Sequence, residues 1–541
     1  MEHPEAGKHD SSTLSAFDTA LRDSHSNKAS IEKLEIMPGF SRLLDLADEL
    51  ILGVIEQIEE SNDLCTFALT CSRLQSLVEP FIYRSILIRA GSQAVDLVMS
   101  IKARPVRASA VQTLGIRYVF DFEHDIETLN LVLMDFRNLR HLTIESPCLN
   151  NGPWRNGDRN WESRCRIDYY TLFEAASLRL PYSTPRAIPL LQSIVLHAHG
   201  DGDSAFTLGK NAIMFLHPTV RSITISCSDI TDNLFTSDLF RGHEHSTPLT
   251  NLVFDECNIS AFGLQALLSL PRALKRLTLG ERLYHFHYPP CIPLGNNCEH
   301  FMAALYTQHE SLEYIKHIGS RNWLSDNPDL STNILHYFYN LRTLELGPHS
   351  VLRKYLVADE FPGNLESLRL LSNYVHYHNP AQGLTIYTHL RSPRVDWSGI
   401  VAAVLSKYNH VKEVDIILGQ AFTQMSQGFD LDLLHSLWQT KEQRDDVYQA
   451  AKPLRARGTR FKLFAEHFLG GRVFIPPYLY GEDVPQELLV YDSEDPNLFG
   501  SVRYTEDDTE NIESSGVLDD EPENQESIDP ADLGAKVLGF L

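Results

Sequence analysis

The stretch LTNLVFDECNISAFGLQALLSLPRAL, from Leu249 to Leu274, carries the pattern that decides the fold. Its first apolar positions have the spacing of a strand and the turn after it: Leu249, Leu252, Phe254, Cys257 and Ile259. The next have helical spacing: Leu264, Leu267 and Leu268. Pro271 then ends the helix, and a second strand begins at Leu274. The stretch therefore predicts one strand and one helix within 25 residues.

The same strand pattern, with apolar residues at positions i, i+3 and i+5, recurs between about residues 105 and 465. The patterns begin at Val111, Leu139, Leu191, Val220, Leu249, Leu274, Leu312, Leu341, Leu365 and Val411. Successive starts lie 28, 52, 29, 29, 25, 38, 29, 24 and 46 residues apart, and the intervals of 52 and 46 each leave room for one missed unit. This spacing predicts a repeat architecture in which each unit stacks on its neighbours.

The pattern resembles leucine-rich repeats, which read L-x-x-L-x-L-x-x-N/C-x-L. Cys257 and Asn373 fill the Asn/Cys position, whereas the Leu312 unit has His317 at its third apolar position. The resemblance implies an α/β fold for residues 91–470. This would be an irregular leucine-rich-repeat solenoid, with parallel strands on the concave face and helices outside. We expect insertions near residues 147–188 and 282–305.

Residues 39–90 predict a separate small helical unit ahead of the repeats. Its first helix carries an apolar stripe at Leu50, Val54, Ile55 and Ile58. A second stripe, from Leu64 to Val78, is expected to end at Pro80. A unit of about 45 residues is too small for a rich core, so it is expected to lean on a neighbour or a partner.

This unit resembles the F-box. The residues that carry the resemblance follow the order of the family: Leu46-Ala47-Asp48-Glu49-Leu50, Ile55, Ile58, Asp63-Leu64, Leu69, Cys71, Leu74 and Pro80-Phe81-Ile82-Tyr83-Arg84. Ala47 fills the position where the family has proline, which would pre-set the first helical turn. Together with the repeats, the chain resembles F-box proteins that carry C-terminal leucine-rich repeats.

The resemblance implies a substrate-recognition subunit of a Skp/cullin/F-box ubiquitin ligase. The F-box would bind a Skp-type adaptor and, through it, a cullin and RING ligase, so the chain itself would not be an enzyme. The implied adaptor-binding residues are Leu46, Glu49, Leu50, Ile55, Ile58, Asp63 and Leu64. The alternative is a leucine-rich-repeat interaction scaffold whose helical unit only caps the first repeat and has no ubiquitin role.

Strand residues between the buried leucines point to the opposite face of the sheet, where a protein substrate would bind. The candidates are Ser222, Thr224, Asn251, Val253, Asp255, Arg276, Thr278, Thr343, Glu345, Ser367 and Arg369. They share neither charge nor chemistry, so the sequence does not identify the substrate. Plain solvated strand surface is the alternative interpretation.

The charge is concentrated at one end of the chain. The 47 basic and 71 acidic residues give a net charge of −24, and the segment from Glu482 to Asp532 has 18 acidic residues and one basic residue. This balance argues against a nucleic-acid partner and against an anionic membrane surface. Residues 1–38 are expected to be a disordered arm and residues 471–541 a largely disordered acidic tail. A solubilising tail is the main interpretation, and an interaction tail is the alternative.

The sequence lacks the common motifs of catalytic and phosphate-binding sites. G-x-S-x-G, G-x-x-x-x-G-K-[ST], G-x-G-x-x-G and H-E-x-x-H do not occur, so we expect no catalytic residues and no cofactor. We expect the segment from His285 to His300 to be an ordinary insertion loop. The rival hypothesis is a zinc site, because zinc favours thiolate and imidazole ligands. Its candidate ligands are His285, His287, Cys291, Cys298 and His300. Sparse cysteines, no secretory start and no membrane-spanning run predict a cytoplasmic or nuclear protein.

Overall fold

The computed structural model describes residues 43–117, 125–145, 167–181, 183–197, 206–281, 292–320, 334–347, 350–353, 355, 362–372, 404–406, 410–418, 441–467 and 486–495. The predicted arm at residues 1–38 lies outside these ranges, as does the acidic tail after Asp495. Insertion residues 282–291 also lie outside them.

The α-helices of the described residues cluster at the N-terminal end and between strands. They are α1 Asp48–Ile55, α2 Ser61–Ala68, α3 Ser72–Ile82, α4 Gly91–Ala103, α5 Tyr169–Ala176, α6 Asn233–Thr236, α7 Ala261–Leu268, α8 Cys298–Tyr306 and α9 Lys441–Ala456. Side chains cap two of them, because Ser260 Oγ accepts a hydrogen bond from Gly263 N and Asp168 Oδ1 accepts one from Thr171 N, both at 2.9 Å.

Fifteen strands of the described residues join in one sheet system. They are β1 Ser85–Ile88, β2 Thr113–Arg117, β3 His141–Glu145, β4 Ser193–His197, β5 Phe206–Thr207, β6 Ser222–Ser226, β7 Ser228–Ile230, β8 Asn251–Ile259, β9 Arg276–Glu281, β10 Tyr314–His317, β11 Thr343–Leu346, β12 Ser367–Ser372, β13 Glu413–Leu418, β14 Arg460–His467 and β15 Gln486–Asp492. The main path is β1-β2-β3-β4-β6-β8-β9-β10-β11-β12-β13-β14-β15, so each strand adds beside the one before it. All pairs are parallel except β14 with β15.

The register aligns the middle apolar residue of every strand from β2 to β14 on the main path. These partners form one continuous row across the sheet: Leu114, Leu142, Ile194, Ile223, Leu252, Leu277, Ile315, Leu344, Leu368, Val414 and Phe461. Each of them is at most 1% exposed. Every strand that the i, i+3, i+5 spacing predicted is present, which confirms the mixed α/β, parallel character of the fold.

The described residues of the two long intervals contain no additional strand of the main sheet. We expected room for a missed unit between Leu139 and Leu191 and between Leu365 and Val411. That interpretation is wrong, because β3 bonds directly to β4 and β12 bonds directly to β13. Within the first interval, the described residues include the helix α5.

Three strands of the main path were not predicted. β1 fits the apolar spacing at Tyr83, Ile86 and Ile88, but residues 85–88 were assigned to the helical unit. β14 was missed because Gly458, with φ +81°, stands where the pattern expects an apolar residue. β15 lies in the segment assigned to the disordered tail, so the sheet extends beyond the expected end at residue 470.

Helices alternate with strands less regularly than expected. Several connections in the described residues contain 3-10 helices instead of α-helices: Pro105–Ala110, Ile126–Leu131, Gly209–Leu216 and Leu335–Tyr337. A 3-10 turn fills less width than an α-turn, so strands can stay adjacent when the connecting chain is short.

The N-terminal helices have a core of their own. Ile51, Ile55, Leu64, Ala68, Leu74 and Val78 form a buried cluster that is separate from the large core behind the sheet, and Ile82 packs against both. The expected second stripe is divided between α2 and α3, and α3 continues past Pro80 to Ile82. Arg73 joins α3 to α1 through Asp48 at 2.6 Å.

A buried ion pair joins this helical unit to the sheet. The carboxylate of Glu79 on α3 pairs with two arginines. Glu79 Oε1 lies 2.6 Å from Arg107 Nη2, and Glu79 Oε2 lies 2.9 Å from Arg104 Nη1. Arg107 also donates to Ser100 Oγ at 2.7 Å and lies 5.1 Å from the centre of the Tyr83 ring. Glu79 and Arg107 are each 5% exposed, so their charges have been removed from water together. The unit is therefore held against the first strands.

We expect Glu79→Ala to lower the free energy of unfolding by about 3 kcal/mol, because Arg107 would keep its charge in the interior without its carboxylate partner. Urea denaturation followed by circular dichroism measures this change. The matched control is Asp238→Ala, which removes an exposed pair with Arg241 at 2.8 Å and should change stability by less than about 0.5 kcal/mol. Equal stability of the two variants would contradict the role of the junction.

Candidate functional site

The helical unit leaves an apolar surface uncovered. Leu50 is 59% exposed, Val54 43% and Leu69 46%. Leu50 and Val54 lie one turn apart on α1, and Leu69 follows the end of α2. Leu50 and Val54 form a pair of exposed apolar side chains on one face of α1, and such a pair is a candidate contact surface for another chain.

The predicted adaptor residues divide between this surface and the core behind it. Glu49, Leu50 and Asp63 are exposed, and Leu46 and Ile58 are half-buried. Ile55 and Leu64 are only 1% and 8% exposed, so they support the helices and do not form the surface. Val54 and Leu69 were left out of the predicted set, although Val54 belongs to the α1 stripe that the sequence shows.

The helical unit also has a groove of about 540 Å³. The groove is formed mainly by the connection from α1 to α2 and by α2 itself. Its lining residues are Gln57, Ile58, Glu59, Glu60, Asp63, Thr66, Phe67 and Thr70. Ile58 and Phe67 form its half-buried apolar floor, and acidic side chains stand at its rim. An apolar floor with a charged rim suits a helix or loop of a second protein.

The backbone at Ala47 has the conformation that proline requires. Its φ of −63° and ψ of 152° place it immediately before α1. Proline fixes φ near −65°, so the alanine preserves the local geometry at the start of the helix. What the chain loses is the rigidity that proline would give the unfolded state.

On the solvent side of the sheet, most predicted substrate residues are accessible. Ser222, Thr224, Asn251, Val253, Asp255, Thr278, Thr343 and Ser367 are half-buried. Arg276 is exposed and lies 4.3 Å above the centre of the Tyr314 ring. Asn251 Nδ2 donates to Ser222 Oγ at 2.9 Å. From β6 to β9 this face therefore offers small and polar groups.

From β10 to β14 the same face is a charge ladder, which we define as Lys316, Glu345, Arg369, Asp415 and Lys462. The register places each of these residues beside the next, so the sign of the charge alternates from strand to strand. Lys316 Nζ lies 2.6 Å from Glu345 Oε1, and Arg369 Nε lies 3.6 Å from Asp415 Oδ2. Opposite charges on adjacent strands stabilise the sheet locally.

Two predicted substrate residues are members of this ladder. Glu345 is 2% exposed, so the expectation of an accessible side chain is wrong for it. Burial pushes its pKa upward, but Lys316, Arg369 and the Tyr314 hydroxyl outweigh burial and hold the pKa below its usual value. Arg369 donates to Glu487 Oε2 of β15 at 2.6 Å. Both side chains are thus engaged within the chain.

Asp415, a member of the ladder, has a strongly raised pKa. Its removal from water, together with the negative charge of Glu413, raises the pKa of Asp415 to about 7. Lys462 and Arg369 act in the opposite direction without restoring the usual value. The ladder therefore changes charge near neutral pH.

A second polar cluster lies inside the core, at the carboxyl ends of β9 and β10. His317 Nε2 is 2.9 Å from Glu281 Oε2, and His317 Nδ1 is 2.8 Å from Ser350 Oγ. Glu281 Oε1 also accepts a hydrogen bond from Leu294 N at 3.0 Å. The order serine, histidine, carboxylate matches that of a hydrolytic triad.

Burial argues against catalysis by this cluster. His317 is fully buried, and Glu281 and Ser350 are each 3% exposed. A nucleophile must meet its substrate, which this packing prevents. The cluster instead joins three successive connections of the sheet through hydrogen bonds that the interior makes costly to lose.

The described members of the hypothetical zinc site do not converge. Cys298 is buried and its thiol donates to Gly295 O at 3.0 Å, whereas His300 Nδ1 lies 2.7 Å from Asn297 Oδ1 and its ring packs on Phe262. His285, His287 and Cys291 lie outside the described residues. Within the described part of the chain, no three histidine, cysteine or acidic side chains form a metal-binding group.

No protein-family model matches the chain, and no curated protein shows detectable similarity to it. Among the described helices, none combines the length and the apolar character needed to cross a bilayer. The surfaces described above are therefore the basis for a function.

We expect His317→Leu to lower the free energy of unfolding by about 2–4 kcal/mol, because the Glu281 carboxylate would stay buried without its main partner. Urea denaturation measures the change. Adding Glu281→Gln should recover part of the loss, since a neutral amide can still accept from Leu294 N. His141→Leu, at an exposed position, is the control, and an equal loss there would contradict the account.

Asp415→Asn should stabilise the protein more at pH 8 than at pH 5. Folded Asp415 holds its proton up to about pH 7, whereas an unfolded aspartate releases it near pH 3.8. Stability due to this group therefore falls as the pH rises from about 4 to 7. The asparagine removes that dependence, and the variant should gain about 2 kcal/mol over wild type between the two pH values. The same difference in unfolding free energy between variant and wild type at pH 5 and at pH 8 would contradict this prediction.

Proposed function

We propose that this protein is the substrate-recognition subunit of a Skp/cullin/F-box ubiquitin ligase. The helical unit α1–α3 would bind a Skp-type adaptor, which recruits a cullin and a RING protein. The sheet with its connecting helices would act as an irregular leucine-rich-repeat solenoid and bind a protein substrate. The chain performs no bond chemistry itself, and ubiquitin transfer to the substrate leads to proteasomal degradation in the cytoplasm or nucleus.

The exposed apolar surface of α1 and α2 is the observation that carries this proposal. A unit that served only to cap the sheet would turn its apolar side chains toward the sheet. Here Leu50, Val54 and Leu69 face away from their own core and remain exposed. Burying such a side chain in a partner gains about 1–2 kcal/mol, so three of them can dominate a binding interface.

The junction at Glu79 and Arg107 supports the same function. It holds the adaptor-binding unit against the first strands through buried, charge-assisted contacts. A recognition subunit benefits from such a fixed link, because a substrate held on the sheet then stays in a defined place relative to the adaptor.

On the substrate side, the accessibility of its side chains favours the face of β6–β9 as the binding surface. There Thr224, Asn251, Val253, Arg276 and Thr278 combine accessibility with hydrogen-bonding groups and an exposed guanidinium. Beyond β10, Lys316 is paired with Glu345 and Arg369 with Glu487. A substrate contact there would have to displace existing ion pairs.

The second candidate is an interaction scaffold without a ubiquitin role. It is favoured by the packing of Ile82 and Tyr83 against the sheet core, which is what an N-terminal cap does. The two functions differ in a direct way, since only the first requires the exposed face of α1 and α2 to bind an adaptor.

The test is capture of a purified Skp-type adaptor by the full chain. Leu50→Asp with Val54→Lys should weaken binding about 100-fold, because two exposed apolar contacts are replaced by charges while the buried core is unchanged. The control is Val106→Asp with Leu131→Asp, at positions 65% and 60% exposed on the body, and it should bind like wild type.

Unchanged binding by the first variant would contradict the assigned surface. Absence of adaptor binding by the wild-type chain would favour the scaffold. Ile55 is unsuitable for this test because it is 1% exposed, so a charge there would disrupt the helical core.

A further inference from the structure

A row of residues lines the amino-terminal edge of the sheet, one position before each strand of the first half. We call it the edge row: Arg84, Gln112, Arg140, Gln192, Arg221, Thr250 and Lys275. Each member from Gln112 to Lys275 donates its backbone N–H to the carbonyl of the preceding member, at 2.7–2.9 Å. The row therefore continues the sheet ladder, and its members have a fixed order and spacing.

Cations and neutral residues alternate along the edge row. Arg84, Arg140, Arg221 and Lys275 are exposed, and each is separated from the next by one uncharged residue. Strands lie about 4.8 Å apart, so successive cations are about 10 Å apart along the edge. The four of them span about 29 Å.

The same edge is neutralised farther along the sheet. Lys275 Nζ lies 2.8 Å from Glu313, and Lys412 Nζ lies 2.9 Å from Glu366. Arg84, Arg140 and Arg221 have no such carboxylate partner within the described part of the chain. The exposed positive charge is thus concentrated in the first half of the edge, on a chain whose net charge is −24.

Acidic residues in the tail recur at an interval that matches the spacing of the cations along the edge row. Asp520, Glu523, Glu526, Asp529 and Asp532 follow one another at intervals of three residues, with Pro522 and Pro530 among them. In the polyproline II conformation, three residues make one turn and advance about 9.3 Å, so every third side chain points the same way. Carboxylates at this interval have nearly the spacing of the cations.

The length of the chain allows the two to meet. Residues 496–519 separate the last described residue, Asp495, from Asp520. Twenty-four residues reach up to about 80 Å, whereas the twelve strand steps from β15 to β1 measure about 58 Å along the sheet.

We propose that the acidic segment Asp520–Asp532 binds along the edge row of its own chain, with its carboxylates beside Arg84, Arg140 and Arg221, the row cations that have no carboxylate partner among the described residues. The bound tail screens the exposed cations of the row and keeps other polyanions off this edge. Individual surface ion pairs contribute little, but several in register on a tethered segment add to a stable contact. The contact is sensitive to salt, because exposed charges are screened.

The test is zero-length carbodiimide crosslinking of the full chain carrying Arg140→Lys and Arg221→Lys, which keep the charge of the row and supply amines. Peptides containing Asp520–Asp532 should crosslink to the amines introduced at positions 140 and 221. The yield should exceed that at Lys210 or Lys452, exposed lysines outside the row, by at least about fivefold. These crosslinks should appear in the monomer. They should disappear in about 0.5 M NaCl, where the Debye length is roughly 4 Å.

A matched control separates spacing from charge alone. A variant whose residues 518–534 keep their composition but lose the three-residue period should give much weaker crosslinks to the row. Equal crosslinking by that variant, an even distribution over all lysines, or crosslinks found only between two copies would each overturn the proposal. None of these outcomes bears on adaptor binding, so the proposed ligase function stands or falls separately.

Discussion

Parallel pairing in a single aligned register is the constraint on which the rest of the structure depends. Because the side chains of a strand alternate between two faces, a shift of one residue in any pair would move its leucines into water. Keeping the row from Leu114 to Phe461 buried fixes the position of every other residue in each strand. The alternating charges of the ladder and the even spacing of the edge row both follow from that register.

The helical unit obeys a different constraint. With only a small cluster around Ile51 and Ile55, it cannot bury all of its apolar residues. It uses one face for its own core and the end of α3 for contact with the sheet, and the remaining apolar side chains stay at the surface. A buried ion pair at Glu79 holds the arrangement, although it adds less stability than an apolar contact would.

Polar groups within the fold show where repeats depart from their pattern. His317 stands at an apolar position, and the structure accommodates it by bringing Glu281 and Ser350 within hydrogen-bonding distance. Those partners come from neighbouring units about 35 residues away in sequence. The cluster therefore exists only because the strands that precede its members are adjacent, and no local signal could have revealed it.

The sequence by itself determined the repeated strands and the separate helical unit. The spacing of apolar residues is a local property of the sequence, and it decides which face of a strand or helix is buried. Tertiary structure alone decided which polar residues meet. Glu345 was expected to be accessible and is buried in the ladder, since its neighbours Lys316 and Arg369 come from other strands. It also decided that Leu50 and Val54 stay exposed while Ile55 is covered, because burial of one helix face depends on how three helices pack together. Contacts between distant residues follow from the register and packing of the whole sheet, which no stretch of sequence contains.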